Sequence, residues 1–157
     1  MIVCMHTKFY YIYFMKPTET ADFHIRWSWY NISRMYNTQA NEFGGTMAIG
    51  YTLLNIDKDG TPSMKLGPKM GMEPRSLTRM IKSLEEKGWI EKRMDNSDKR
   101  MVNIHLTETG KKMRNLSRSS VIKFNKTIQE KINNSELKTC FKVLGEINQL
   151  IDNNKIF

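Results

Sequence analysis

The sequence predicts a mainly α-helical chain interrupted once by a small β-hairpin, and three observations carry that prediction. Apolar residues recur at helical spacing over most of the 157 residues. The period changes to alternation only between Ile90 and Leu106, and Gly, Pro and Asn/Ser clusters stand where one period gives way to the next. A chain of this length can bury a substantial core without disulfides or metals. Cys4 and Cys140 lie at opposite ends and make no ligand-spaced pair, and His6, His24 and His105 are dispersed. No metal or other cofactor is therefore expected, and this cysteine usage fits a reducing cytoplasm.

Residues 1–14 (MIVCMHTKFYYIYF) are apolar and aromatic. They make a poor signal peptide, because no basic region precedes them, Lys8 interrupts the run and no small-residue cleavage site follows. They are also too short to span a bilayer. Met15 opens a polar segment that reads as a natural N-terminus, so 1–14 is read as a leader from an upstream start and 15–157 as a single domain. The rival reading is an extra strand or dimer arm.

Ala21 to Phe43 contains no Gly or Pro, and Phe23, Trp27, Tyr30, Tyr36, Ala40 and Phe43 recur at helical intervals. Ile25, Trp29, Ile32 and Met35 fall elsewhere on the wheel, so this long helix is too apolar for one core-facing stripe. A partner subunit is the simplest second cover. Gly44-Gly45 ends it. A shorter buried helix spans Thr46–Ile56 and stops at Asp57-Lys58-Asp59-Gly60, after which Thr61-Pro62-Ser63 reads as an edge strand or a cap. Met64–Met70 is read as a short helix, with Pro68 tolerable if it falls in the first turn.

Glu73-Pro74 opens the most informative helix, PRSLTRMIKSLEEKG. Pro74 suits the first helical position and Gly88 the C-terminal stop. Leu77, Met80, Ile81 and Leu84 share one face, and Arg75, Arg79, Lys82 and Glu86 line the opposite one. Ile90 and then Val102, Ile104 and Leu106 flank the polar turn Asp95–Arg100 as a hairpin with a charged tip. Thr107 caps a helix from Glu108 to about Ile132. Ser135 is the expected cap of a last helix, whose Leu137, Cys140, Phe141, Leu144, Ile147 and Ile151 form a seam on which Cys140 reads as a small buried hydrophobe.

Lys and Arg number 25 against 16 Asp and Glu, a formal net charge of +9. That balance favours a polyanionic partner, with nucleic acid ahead of an acidic membrane surface. A helix, a tight turn, a second helix with a basic outer face and a charged hairpin make the layout of a winged helix-turn-helix, with N- and C-terminal helices for dimerisation. The second helix would enter the major groove of double-stranded DNA with Arg75, Ser76, Thr78, Arg79 and Lys82 outward. Thr78, Ser76, Lys65 and Lys69 suit phosphates, which position a protein without reading sequence. At the tip, Asp98 sits two residues from Arg100, beside Lys99, and an oriented arginine suits a narrow minor groove.

These residues resemble the MarR (multiple antibiotic resistance regulator) family. The helix PRSLTRMIKSLEEKGWI is similar to that family's recognition helix, and Asp98-Lys99-Arg100 followed by Leu106-Thr107-Glu108-Thr109-Gly110 is similar to its wing signature. The resemblance implies a homodimer joined through about 21–43 and 107–152, with 46–106 as the DNA-binding lobe. It also implies palindromic operators, a cytoplasmic location, and a repressor's role with a small-molecule effector, such as a phenol or another small anion, between the lobes. Trp27 and Tyr30, with Trp29 and Tyr36 beside them, are the pocket candidates on that resemblance, against plain core and dimer packing. Glu73 departs from the family's small cap residue, and the first helix lacks the cysteine of peroxide-sensing members. The sequence shows no phosphate loop, nucleophile elbow or acid–base pair at motif spacing, so no enzyme is expected. The same charges would serve an architectural DNA-binding protein without sequence preference, and a winged-helix protein-interaction module would leave them unused.

Overall fold

The computed structural model describes residues 16–95, 99 and 101–156. The leader reading of 1–14 lies outside them. A 3-10 turn, Pro17–Glu19, leads into α1 (Ala21–Asn41), followed by α2 (Met47–Asn55), β1 (Thr61–Pro62), α3 (Ser63–Met70) and α4 (Pro74–Glu86). Then come β2 (Ile90–Met94), β3 (Val102–Leu106), α5 (Glu108–Lys131) and α6 (Asn134–Asp152).

The three strands form one antiparallel sheet in the order β1-β3-β2. Ile90 lies opposite Leu106 and Met94 opposite Val102, while Thr61 pairs with Ile104 on the other side. Thr61-Pro62 is thus an edge strand, the position in a sheet where a proline's missing N–H is tolerated. One core joins the sheet to α2, α3 and α4, with Leu53, Ile56, Leu66, Leu84 and Ile104 fully buried in it.

Hydroxyl and amide caps open α2, α5 and α6. Thr46 Oγ1 accepts the Ile49 N–H at 3.2 Å, and Thr107 Oγ1 accepts that of Gly110 at 3.0 Å. The start of α6 corrects the expectation of Ser135 as its cap. Asn133, in extended conformation, caps instead, because its Oδ1 accepts both the Ser135 N–H and its hydroxyl, at 2.9 and 2.8 Å. Pro68 also lies elsewhere than expected, in the second half of α3 rather than its first turn. The short helix gives up the bond Pro68 cannot make to Met64 and ends at Met70, before a left-handed Gly71.

The two terminal helices contrast with this core. No residue of α1 is buried, and in α6 only Leu137 is. Cys140 is exposed, not buried as the seam implied, because past Leu137 the seam residues Cys140, Phe141, Leu144 and Ile151 are left uncovered by the rest of the chain.

Candidate nucleic-acid interface

Helical spacing divides α4 into two faces. Leu77, Ile81 and Leu84 are buried against the sheet and α3, which turns Arg75, Ser76, Thr78, Arg79 and Lys82 outward, all exposed. Pro74 occupies the first position, and Glu73 makes no side-chain cap bond. Gly71 (φ 62°) and Gly88 (φ 65°) end α3 and α4 alike, in the left-handed conformation that glycine reaches without strain. Around Gly88, the Gly88 N–H donates to Glu85 at 2.9 Å and the Trp89 N–H to Leu84 at 3.0 Å, closing the end of the helix. A tight turn therefore separates α3 from an exposed, basic α4.

Not every expected contact is free in the same way. Lys69, expected to meet a phosphate, is engaged within the chain. Its ammonium donates to the Asn55 carbonyl at 3.1 Å and to Asp57 at 3.2 Å, and Asp57 in turn accepts the Thr61 hydroxyl at 3.0 Å. Lys69, and after it Thr61, hold the Asp57 carboxyl below the usual carboxylate range. Lys69 thus ties α3 to the turn after α2. The Thr78 hydroxyl donates back to the Pro74 carbonyl at 2.9 Å, which uses the proton a phosphate would need. Lys82 lies 3.8 Å from Glu86 across one helical turn, a solvent-screened pair of small energetic weight. Lys65 is exposed.

In the hairpin, Arg93 pairs with Glu91 and Lys92 with Glu85. Its neck is held by the Asp95 N–H on Met101 at 3.0 Å and by the Asn103 amide on Asp95 at 2.8 Å. Lys99 is exposed at the turn, whereas Asp98 and Arg100 lie outside the described residues.

The junction between α4, the sheet and α5 explains the Leu-Thr-x-x-Gly block. The Trp89 carbonyl accepts the Thr107 N–H at 3.1 Å, and the Thr107 hydroxyl donates to the Gly88 carbonyl at 2.7 Å. A Cβ at Gly110 would lie 1.8 Å from the Trp89 carbonyl oxygen, so only glycine lets α5 begin there.

Beneath α1, a cavity of about 500 Å³ opens between α1, α2 and α5, with Ile32, Tyr36, Leu53, Trp89, Met113 and Val121 among its walls. Tyr36 packs against Phe124 at 5.7 Å, and burial raises its phenol above the ordinary tyrosine value. Trp27 and Tyr30 are not in the wall. They are 58% and 54% exposed, stack with Phe23 and each other at 6.2 and 5.9 Å, and Arg34 lies over Tyr30. The reason is angular: Trp29, Ile32 and Tyr36 share one face of α1, while Phe23, Trp27, Tyr30 and Arg34 share the opposite one. Among the described residues, no group of His, Cys, Asp and Glu has metal-site geometry, and no helix is long and apolar enough to cross a membrane.

Short helices joined by a tight turn, a basic exposed helix and a β-hairpin define a winged helix-turn-helix. A sequence model of the MarR family matches residues 53–102, which run from the end of α2 to the start of β3. The HTH-type transcriptional regulator SarZ of Staphylococcus epidermidis is 31% identical over 104 residues, covering 63% of this chain and 70% of SarZ. Among solved structures, the fold is similar to S. aureus MepR in its DNA complex (TM-score 0.76, 20% identity, 83% of this chain and 97% of that one). It is also similar to the Streptomyces coelicolor regulator PcaV in complex with its natural ligand (TM-score 0.72, 16% identity, 86% and 96%). The chain belongs to the MarR family of transcriptional regulators, and the relatives named here are regulators of transcription rather than enzymes.

Proposed function

We propose that the protein is a homodimeric, sequence-specific repressor that places the α4 helices of two copies in successive major grooves of a palindromic site. The observation that carries this reading is the split of α4, with Leu77, Ile81 and Leu84 anchored in the core and Arg75 and Arg79 held outward on a rigid helix. Arginine pairs bidentately with a guanine edge, so these two are the residues assigned to reading sequence. Lys82 and Lys65 supply phosphate attraction. Asp98 and Arg100 are assigned to the wing's minor-groove contact on the motif they form.

The second copy covers the apolar faces that α1 and α6 leave open. Ile25, Trp27, Trp29 and Tyr30 on α1 and Phe141, Leu144 and Ile151 on α6 are exposed together, more apolar surface than singly scattered residues leave. Repression follows from occupancy of the site, in the cytoplasm where the DNA lies. An effector in the cavity beneath α1 gives the response to small molecules. Trp89 supports that link, since its ring lines the cavity while its backbone closes α4 and carries α5. Selection from a random duplex pool should enrich a palindrome whose half-sites are about one helical turn apart. Recovery of unenriched sequences, with binding governed by salt alone, would instead make the protein an architectural DNA-binding one.

A further inference from the structure

We propose that the cavity beneath α1 selects an uncharged, mainly apolar ligand carrying a hydrogen-bond donor, and rejects anions. This rests on the reading of that cavity as an effector site and departs from the small anion that family resemblance implies. Among the described residues that line it, none is Lys, Arg, His, Asp or Glu. Cations adjoin wall residues without lining the cavity themselves: Arg34 lies over Tyr30 on the opposite face of α1, Lys69 is bound to Asp57 and Asn55, Lys87 lies over the Trp89 ring at 5.5 Å, and Arg114 and Arg118 follow Met113 and Ser117 on α5. An anion entering the cavity would lose its hydration with no charge to replace it.

Two serines in the wall point the same way. Ser117 and Ser120 donate their hydroxyl protons to the α5 carbonyls of Met113 and Leu116, at 3.1 and 3.2 Å. Their oxygens are left to the cavity as acceptors, which suit a ligand O–H or N–H and oppose a carboxylate. Tyr36, its ionisation pushed up by burial, stays a neutral phenol and adds no charge to the wall. The volume of about 500 Å³ holds a two- or three-ring molecule.

The test compares two probes of the same shape, naphthylmethanol and naphthoate, titrated into the full-length protein near neutral pH. Binding is followed by calorimetry and by quenching of the wall residues Trp29 and Trp89. The neutral alcohol should bind roughly tenfold or more tighter than the carboxylate, a gap of about 1.4 kcal/mol. Ser120→Lys, which sets a cation on the half-buried wall, should reverse that order. Naphthoate binding as tightly as the alcohol to the unaltered protein overturns the proposal, as does failure of both probes to bind. Preferential binding of the alcohol that leaves DNA affinity unchanged supports the ligand class while overturning the effector role assigned above.

Discussion

The winged lobe and the terminal helices solve the burial problem differently. From α2 to β3, each helix turns one apolar face into a shared core, and Leu53, Ile56, Leu66, Leu84 and Ile104 are fully enclosed by residues of the same chain. In α1 and α6, aromatic and aliphatic side chains as large as Trp27, Tyr30 and Phe141 stay exposed. The core of the lobe is closed within a single copy, whereas the ends would be covered only in the proposed pair. On the function proposed above, a rigid lobe would fix the reading helix while the terminal helices would set the distance between two of them.

Four changes would break or sharpen this contrast, and the largest acts in the lobe. Leu84→Ala removes a fully buried side chain from the back of α4, and chemical denaturation should show a loss of about 2–5 kcal/mol. A loss under 1 kcal/mol would mean that the core of the lobe is not the continuous unit described. Next come the ends. Phe141→Glu with Leu144→Glu should halve the sedimenting mass, as loss of central apolar anchors worth about 2 kcal/mol or more each would do, while the lobe's near-UV signal from buried Trp89 persists. A dimer that survives both charges would move the partner contact away from α6.

The third effect is smaller. Gly110→Ala forces a methyl group against the Trp89 carbonyl, and overpacking of this kind costs about 1–3 kcal/mol. Equilibrium unfolding should register that loss together with a change in the Trp89 environment, and wild-type stability would show that the junction has room to yield. The smallest effect concerns Asp57. With Lys69 and Thr61 holding its carboxyl low, its contribution is complete above the ordinary carboxylate pKa and fades as pH falls through the lowered value. Asp57→Asn should flatten the acid limb of the stability profile, and an unaltered limb would remove the Asp57–Lys69 tie from the account.

Much of this was legible in the sequence because periodicity reports burial directly. Leu77, Ile81 and Leu84 repeat at helical spacing and Val102, Ile104 and Leu106 alternate, so the buried face of α4, the hairpin and the outward Arg75 and Arg79 could be read before any coordinates. Interactions between distant residues were less accessible. Charge alone makes Lys69 a phosphate ligand, and only the fold brings it to Asp57, 12 residues earlier. On α1, aromatic residues populate both faces, so pattern did not separate Trp27 and Tyr30 from the Trp29 and Tyr36 that line the cavity.

Trp89 was missed as a junction residue for a related reason. Its backbone bonds to Leu84 and Thr107 and its ring in the cavity wall belong to different elements, and no local motif joins them. One signal was available: a glycine obligatory at the third residue of a helix, Gly110, marks a close approach by another backbone.

The central claim is that the outward face of α4 reads a DNA sequence, and fluorescence anisotropy of Arg79→Ala on a selected duplex tests it most directly. The variant should keep wild-type stability and dimer mass, lose about 1–3 kcal/mol of affinity for the selected site and retain its salt-dependent binding to random duplex. Unchanged affinity for the selected site would contradict the account.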